Sequence, residues 1–274
     1  MVSASGFAKT WEYIELFRQG LITTVSLSAL TVLFGFVLAL LLAVMRLSNL
    51  SLARVLHIDR ESPLQKGALG AVLRFNPVSF LATAYVEVFR ATPMLVQLFI
   101  VYYGLLGDVS LPSVKLFGFL RFDRFVPGVV ALALNSGAYL SEIIRSGIQS
   151  IDAGQTEAAR SLGMSPVQTM RFIILPQAIK NILPAIANEF VTIIKESSIT
   201  YTIAVQDIMS AVWTVKGAKF IVMEPLLVAT ALYFCLTFPT SKIIAYFERR
   251  MSAGDRRNGE TKQKKHRAKG GAKA

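Results

Sequence analysis

Residues 19 to 45, between Arg18 and Arg46, contain no charged side chain. Roughly 20 apolar residues suffice for a helix to cross a bilayer, so this window predicts a membrane span. With 53% hydrophobic residues and a mean hydropathy of +0.52 over 274 residues, the rest of the chain also points to lipid as its solvent. Shorter uncharged windows at 91 to 107, 125 to 141 and 225 to 241 become long enough once each helix runs past its flanking charges. The segment from about 180 to 204 holds Glu189, Lys195 and Glu196 and gives the weakest hydropathy signal.

The expected fold is therefore all-α, a polytopic membrane protein with about five transmembrane helices. Its spans are placed at about 19–46, 79–107, 125–148, 178–204 and 221–247, within a transmembrane domain of residues 19–250. Residues 1–18 form an extracytoplasmic N-terminal segment, 47–78 a cytoplasmic insertion with a short amphipathic helix near 67 to 75, and 251–274 a disordered basic tail. Residues 249 to 274 carry a net +8 of the chain's +12. Basic residues stay in the cytoplasm, which sets the N-terminus outside and the C-terminus inside. The polar residues of the tail lack apolar partners, and attraction to anionic lipid explains it better than nucleic-acid binding.

Glu12 and Glu15 precede the first apolar run, so no cleavable signal peptide is expected and the first span reads as an uncleaved anchor. Cys235 is the single cysteine, which leaves neither a disulfide framework nor a cysteine metal site.

One loop between apolar segments carries dense start and stop signals. Asp152 can cap a short helix through Glu157 and Ala158, which Gly163 ends in the left-handed region. Ser165-Pro166-Val167-Gln168 restarts the chain as a capping box with proline at the first helical position, and Pro176 is expected to interrupt it again. The result is a polar helical hairpin over 152–176, a docking surface that offers Glu157 for a polar contact and Ala158 and Ala159 for close approach.

The order Glu157-Ala158-Ala159, Gly163, then Ile173, Leu175 and Pro176 resembles the cytoplasmic coupling loop of the permeases of ATP-binding-cassette importers. Over roughly residues 17 to 250 the chain is similar to permeases for polar amino acids, on Tyr85 to Gln97, Asn135 to Ile151 and Lys195 to Gln206. The resemblance implies a five-helix core paired with a second permease chain, identical or related. It also implies an ATPase dimer on the cytoplasmic side and an extracytoplasmic amino-acid-binding protein, in a bacterial cytoplasmic membrane. Two departures stand out: Ala91 where the family commonly has glycine, and the long 47–78 connection.

The chain has no G-x-x-x-x-G-K-[ST] phosphate loop, so it is expected to bind no cofactor itself and to leave ATP and Mg to the partner ATPase. It is read as a transporter subunit and not an enzyme. Asn135, Tyr139 and Glu142 fall on one helical face, and the first two are assigned to the substrate path together with Glu196, Ser197 and Ser198. Arg90, Thr92, Pro93, Gln97, Glu142, Glu189 and Lys195 are structural or gating candidates, with Glu142 pairing Arg145 or Arg90. Lys195 and Glu196 are adjacent and are expected to point in different directions. The competing reading is an ion-coupled secondary transporter using Glu189, Lys195 and Glu196 as a relay; it leaves the Glu157 to Pro176 pattern unexplained.

Overall fold

The computed structural model describes residues 2–48, 50, 51 and 67–270. In chain order its helices are α1 (Ala4–Trp11), α2 (Ile14–Leu47), α3 (Gly67–Arg74), α4 (Pro77–Ala91), α5 (Met94–Leu105), α6 (Phe122–Gln149), α7 (Ala153–Ser161), α8 (Pro166–Ile203), α9 (Ile208–Lys219) and α10 (Met223–Gly270). Strands β1 (Lys115–Leu116) and β2 (Leu120–Arg121) pair as a small antiparallel hairpin before α6. It turns through Phe117 and Gly118, both at positive φ.

Among the described residues, four helices are long and apolar enough to cross a membrane: Ile14–Leu47, Phe122–Gln149, Pro166–Ile203 and Met223–Arg250. A fifth span results if α4 and α5 count as one broken helix, bent by 111° at the break. The first span starts at Ile14 instead of 19, because α1 is a separate turn of helix capped by Ser3 and α2 follows it after two residues. Most of the expected 47–78 insertion lies outside the described residues, but α3 stands where the short helix was expected. Past residue 250 the last helix continues to Gly270, where composition predicts a disordered tail. Lys, Arg, Glu, Gln and Ala dominate that stretch, and these are strong helix formers.

The chain divides into two compact units, Met1–Ser146 with Thr192–Tyr233, and Gly147–Val191 with Phe234–Ala274. In the first, α2 presents a seam of small and weakly polar residues, including Thr24, Ser28, Thr31, Gly35 and Ala39, all buried. Val25, Leu33, Val37, Leu41 and Val44 on its other faces stay exposed. Without a hydrophobic force between helices in lipid, association relies on such close-packing seams, and the apolar remainder suits acyl chains. Gly137 of α6 shows how tight the seam is: a Cβ there would come within 2.7 Å of Leu38. Around it, Leu27, Leu98, Val101, Phe125, Val129 and Leu132 form one apolar cluster, and Leu42, Ala82, Val86 and Ala138 another.

Pro93 makes the bend in the second span. It lacks a backbone donor and holds Thr92 in an extended conformation, so the α4 carbonyls lose their helical partners. Side chains take over. The Gln97 amide donates to the carbonyls of Phe89 (2.7 Å) and Thr92 (3.0 Å), and the Thr92 hydroxyl donates to Val88 (2.8 Å).

Candidate functional site

The hairpin of the second unit is built as its sequence signals require. The Asp152 carboxylate accepts from the Gly154 N–H at 2.8 Å and caps α7. At the other end Gly163 has φ 81°, its N–H donates to Arg160, and the Met164 N–H donates to Ala159, the paired bonds of a Schellman stop. Ser165 and Gln168 then form a reciprocal capping box at the start of α8.

Two expectations change. Pro176 does not break the helix: a π turn at Met170–Ile174 precedes it, and α8 runs on through Leu175–Glu196. An extra residue in the turn eases the missing donor and the ring clash of proline. Ala159 is buried at 4% exposure, so of the two alanines Ala158 alone is open to a partner. Glu157 is exposed, and Ile173 and Leu175 are half-buried beside exposed Pro176.

The hairpin is also less polar than its sequence suggests. Leu162, Val167 and Phe172 stand 84%, 75% and 61% exposed, an apolar patch of the kind that marks a contact surface for protein or membrane. Sequence reasoning passed them over because a Leu at a helix end and a Val after a proline read as ordinary core residues.

In the first unit a groove of about 560 Å³ is lined by Met94, Thr192, Lys195, Glu196, Ser198, Ile199, Tyr201 and Met209. Lys195 and Glu196 both line it, from the last α-helical turn before the 3-10 turn that begins at Ser197. An ammonium and a carboxylate in one groove can together pair both charged ends of a zwitterion. Ser198 lines the groove as well, whereas Ser197 is fully buried and donates to the Ile194 carbonyl at 2.8 Å. Tyr201 stacks on Trp213 at 5.7 Å, and the Lys216 ammonium lies 4.1 Å from the Trp213 ring centre.

The other expected path residues fall elsewhere. Asn135 is buried and donates to Gln97 at 2.8 Å, so it belongs to the bend and not to the groove lining. Tyr139 is 38% exposed with the Arg90 guanidinium 5.7 Å from its ring centre. Glu189 is half-buried and absent from the groove lining. Glu142 collects three arginines: Arg145, Arg46 at 2.7 Å and Arg90 at 3.9 Å. The sequence pointed to Arg145 and Arg90, and Arg46 was missed because it lies far away in the chain.

Long apolar helices, a broken second span and an exposed polar hairpin are the frame of a polytopic membrane permease. Residues 67–253 match the family described as "Binding-protein-dependent transport system inner membrane component", and the chain belongs to it. It is 35% identical to the arginine transport system permease protein ArtQ of Bacillus subtilis (strain 168) over 91% of this chain and 98% of that one. It is 37% identical to the nopaline transport system permease protein NocM of Agrobacterium fabrum over 82% of this chain and 83% of that one. A solved amino acid ABC transporter, described as a crystal structure with histidines, superposes with a TM-score of 0.73 at 38% identity, covering 91% of this chain and all of the other. The MetNI methionine ABC transporter, at 17% identity and a TM-score of 0.57 over 85% of this chain and 97% of that one, shares the fold. This chain is thus a permease subunit of an ABC importer, not an enzyme, and family membership leaves the ion-coupled reading without support.

Proposed function

We propose that this permease moves a polar amino acid into the cell, received from an extracytoplasmic binding protein. The observation that carries the cargo class is the groove in which Lys195 and Glu196 stand together. The names of its relatives, which transport arginine, glutamine or nopaline, agree with it. A second permease chain, identical or related, closes the groove, and the N-terminus lies outside with the basic C-terminus inside.

The hairpin couples the cycle to ATP. Glu157 and Ala158, flanked by Leu162 and Val167, dock on an ATPase dimer that binds ATP and Mg on the cytoplasmic side. Closure of that dimer moves the capped hairpin as a rigid lever and turns the path outward; hydrolysis resets it. Stop and start motifs on both sides of Gly163 give the lever its stiffness.

The test is uptake by proteoliposomes holding the permease, its co-purified ATPase and the binding protein. Labelled arginine, glutamine, glutamate and cystine are offered in turn. ATP-dependent accumulation of at least one of them supports the reading, and ATPase activity with no accumulation of any refutes the cargo class. An Ala158→Trp variant that inserts normally and still transports at the wild-type rate would refute the docking assignment.

A further inference from the structure

Asp207 opens α9, and its carboxylate does two different things. One oxygen accepts from the Ser210 N–H at 2.8 Å as a helix cap. The other, Oδ2, is buried without a hydrogen-bond partner, in a residue only 1% exposed. A buried ionised carboxylate with an unpaired oxygen is expensive enough that the group gives up its charge instead.

The surroundings fit that choice. A small cavity of about 170 Å³, lined by Gln19, Gln206, Asp207, Ser210 and Thr214, adjoins the carboxyl and offers it hydroxyls and amides but no cation. Among the described residues, charged groups on the neighbouring elements are already engaged. On α2, Glu15 is held by Arg18 and Gln19. On α9, Lys216 sits over Trp213 and Lys219 pairs Glu12. On α10, Tyr233 is the titratable group nearby. The backbone of Asp207 is pressed on α2 as well, where a Cβ at Gly20 would come within 2.7 Å of it.

We propose that Asp207 is a proton-binding site, and that its proton holds the first turn of α9 against α2. Oδ2 then carries the hydrogen, which removes the charge that burial penalises. A bare sodium ion is a poor occupant, because it wants several oxygen ligands and the capping oxygen is already committed to Ser210. The first turn of α9 also supplies Met209 to the groove, and Trp213 backs Tyr201 there. Loss of the proton therefore loosens one wall of the groove, a consequence that rests on the transport reading above.

Burial pushes the Asp207 carboxyl up to about 8 from its ordinary value of 3.8. Between those values the folded chain keeps a proton that the unfolded chain has lost, so stability falls as pH rises through the interval and flattens above it. Asp207→Asn keeps the cap and the neutral shape without titrating, and Asp207→Ser keeps a capping oxygen. Thermal unfolding of the detergent-purified permease complex should therefore show a wild-type midpoint that drops relative to both variants from about pH 5 to about pH 8 and runs parallel to them above that. Parallel midpoints across the whole range would overturn the proposal. So would a sodium-dependent rise of the wild-type midpoint at constant ionic strength that both variants lose, because it would install a cation in place of the proton. Unfolding does not depend on the cargo, so failure of the amino-acid reading leaves this test intact. Uptake against outer pH reads the groove consequence separately.

Discussion

Asn135 reaches across from α6 to donate its side-chain amide to Oε1 of Gln97, 2.8 Å away, while the Gln97 amide serves the carbonyls that Pro93 has stripped of partners. One glutamine thus bonds on both sides of the bend. Gln97→Leu would leave the Phe89 and Thr92 carbonyls and the Asn135 amide short of partners. A buried polar group without a partner costs about 1–3 kcal/mol, so a clear drop in the thermal midpoint of the detergent-purified chain is expected. An unchanged midpoint would mean that the bend is held by packing alone.

Glu142 is the hub for three arginines, and the Arg46 side chain is only 9% exposed. Glu142→Ala should cost about 3 kcal/mol, because it strands that charge in place. Glu142→Gln, which keeps a hydrogen-bond acceptor, should fall between wild type and Ala. Unfolding midpoints rank the three, and Ala equal to Gln would show that hydrogen bonding contributes nothing there.

Gly163 stands at φ 81° in a Schellman stop with open space around its Cα. Gly163→Ala therefore meets no clash and carries only the backbone penalty, about 1 kcal/mol, confined to the hairpin. Hydrogen exchange should quicken over residues 152–168 with little change in the membrane helices. Coupling efficiency, measured as substrate moved per ATP, should fall in step.

Leu162 and Val167 bring the exposed apolar area of the hairpin. The double change Leu162→Asp with Val167→Asp should leave insertion intact and reduce the ATPase recovered on affinity purification by at least roughly tenfold, about 1.4 kcal/mol. Full recovery would place the docking surface elsewhere.

Lys195 and Glu196 test the groove. Lys195→Met and Glu196→Gln should each raise the half-saturating concentration for uptake roughly tenfold, with ATPase activity in the absence of substrate nearly unchanged. Equal loss of both activities would instead indicate damage to α8.

Those residues also show which features a linear sequence reveals. Asp152, Gly163, Ser165 and Gln168 act through partners two to four residues away, so their roles could be read directly. The first span was equally plain, because lipid exposure demands an uninterrupted apolar run. What escaped was set by distance. Arg46 finds Glu142 across 96 positions, and Asn135 finds Gln97 across 38. Lys195 and Glu196 line one groove because Met94 and Met209, remote in sequence, complete its walls. Asp207 went unnoticed because VQDI reads as an ordinary cap, and only the fold shows its second oxygen buried.

The wide turn at Met170–Ile174 has one more consequence, for how such a protein can change over generations. A single residue removed there would return the turn to ordinary pitch and leave the side chains from Leu175 to Val191 on nearly the same faces relative to the capping box at Ser165, because the wide turn already takes up that residue. The turn thus works as a length buffer between the start of α8 and the rest of that stretch. A residue can be gained or lost there without re-aiming the helix, so the same lever can be refitted to a different engine.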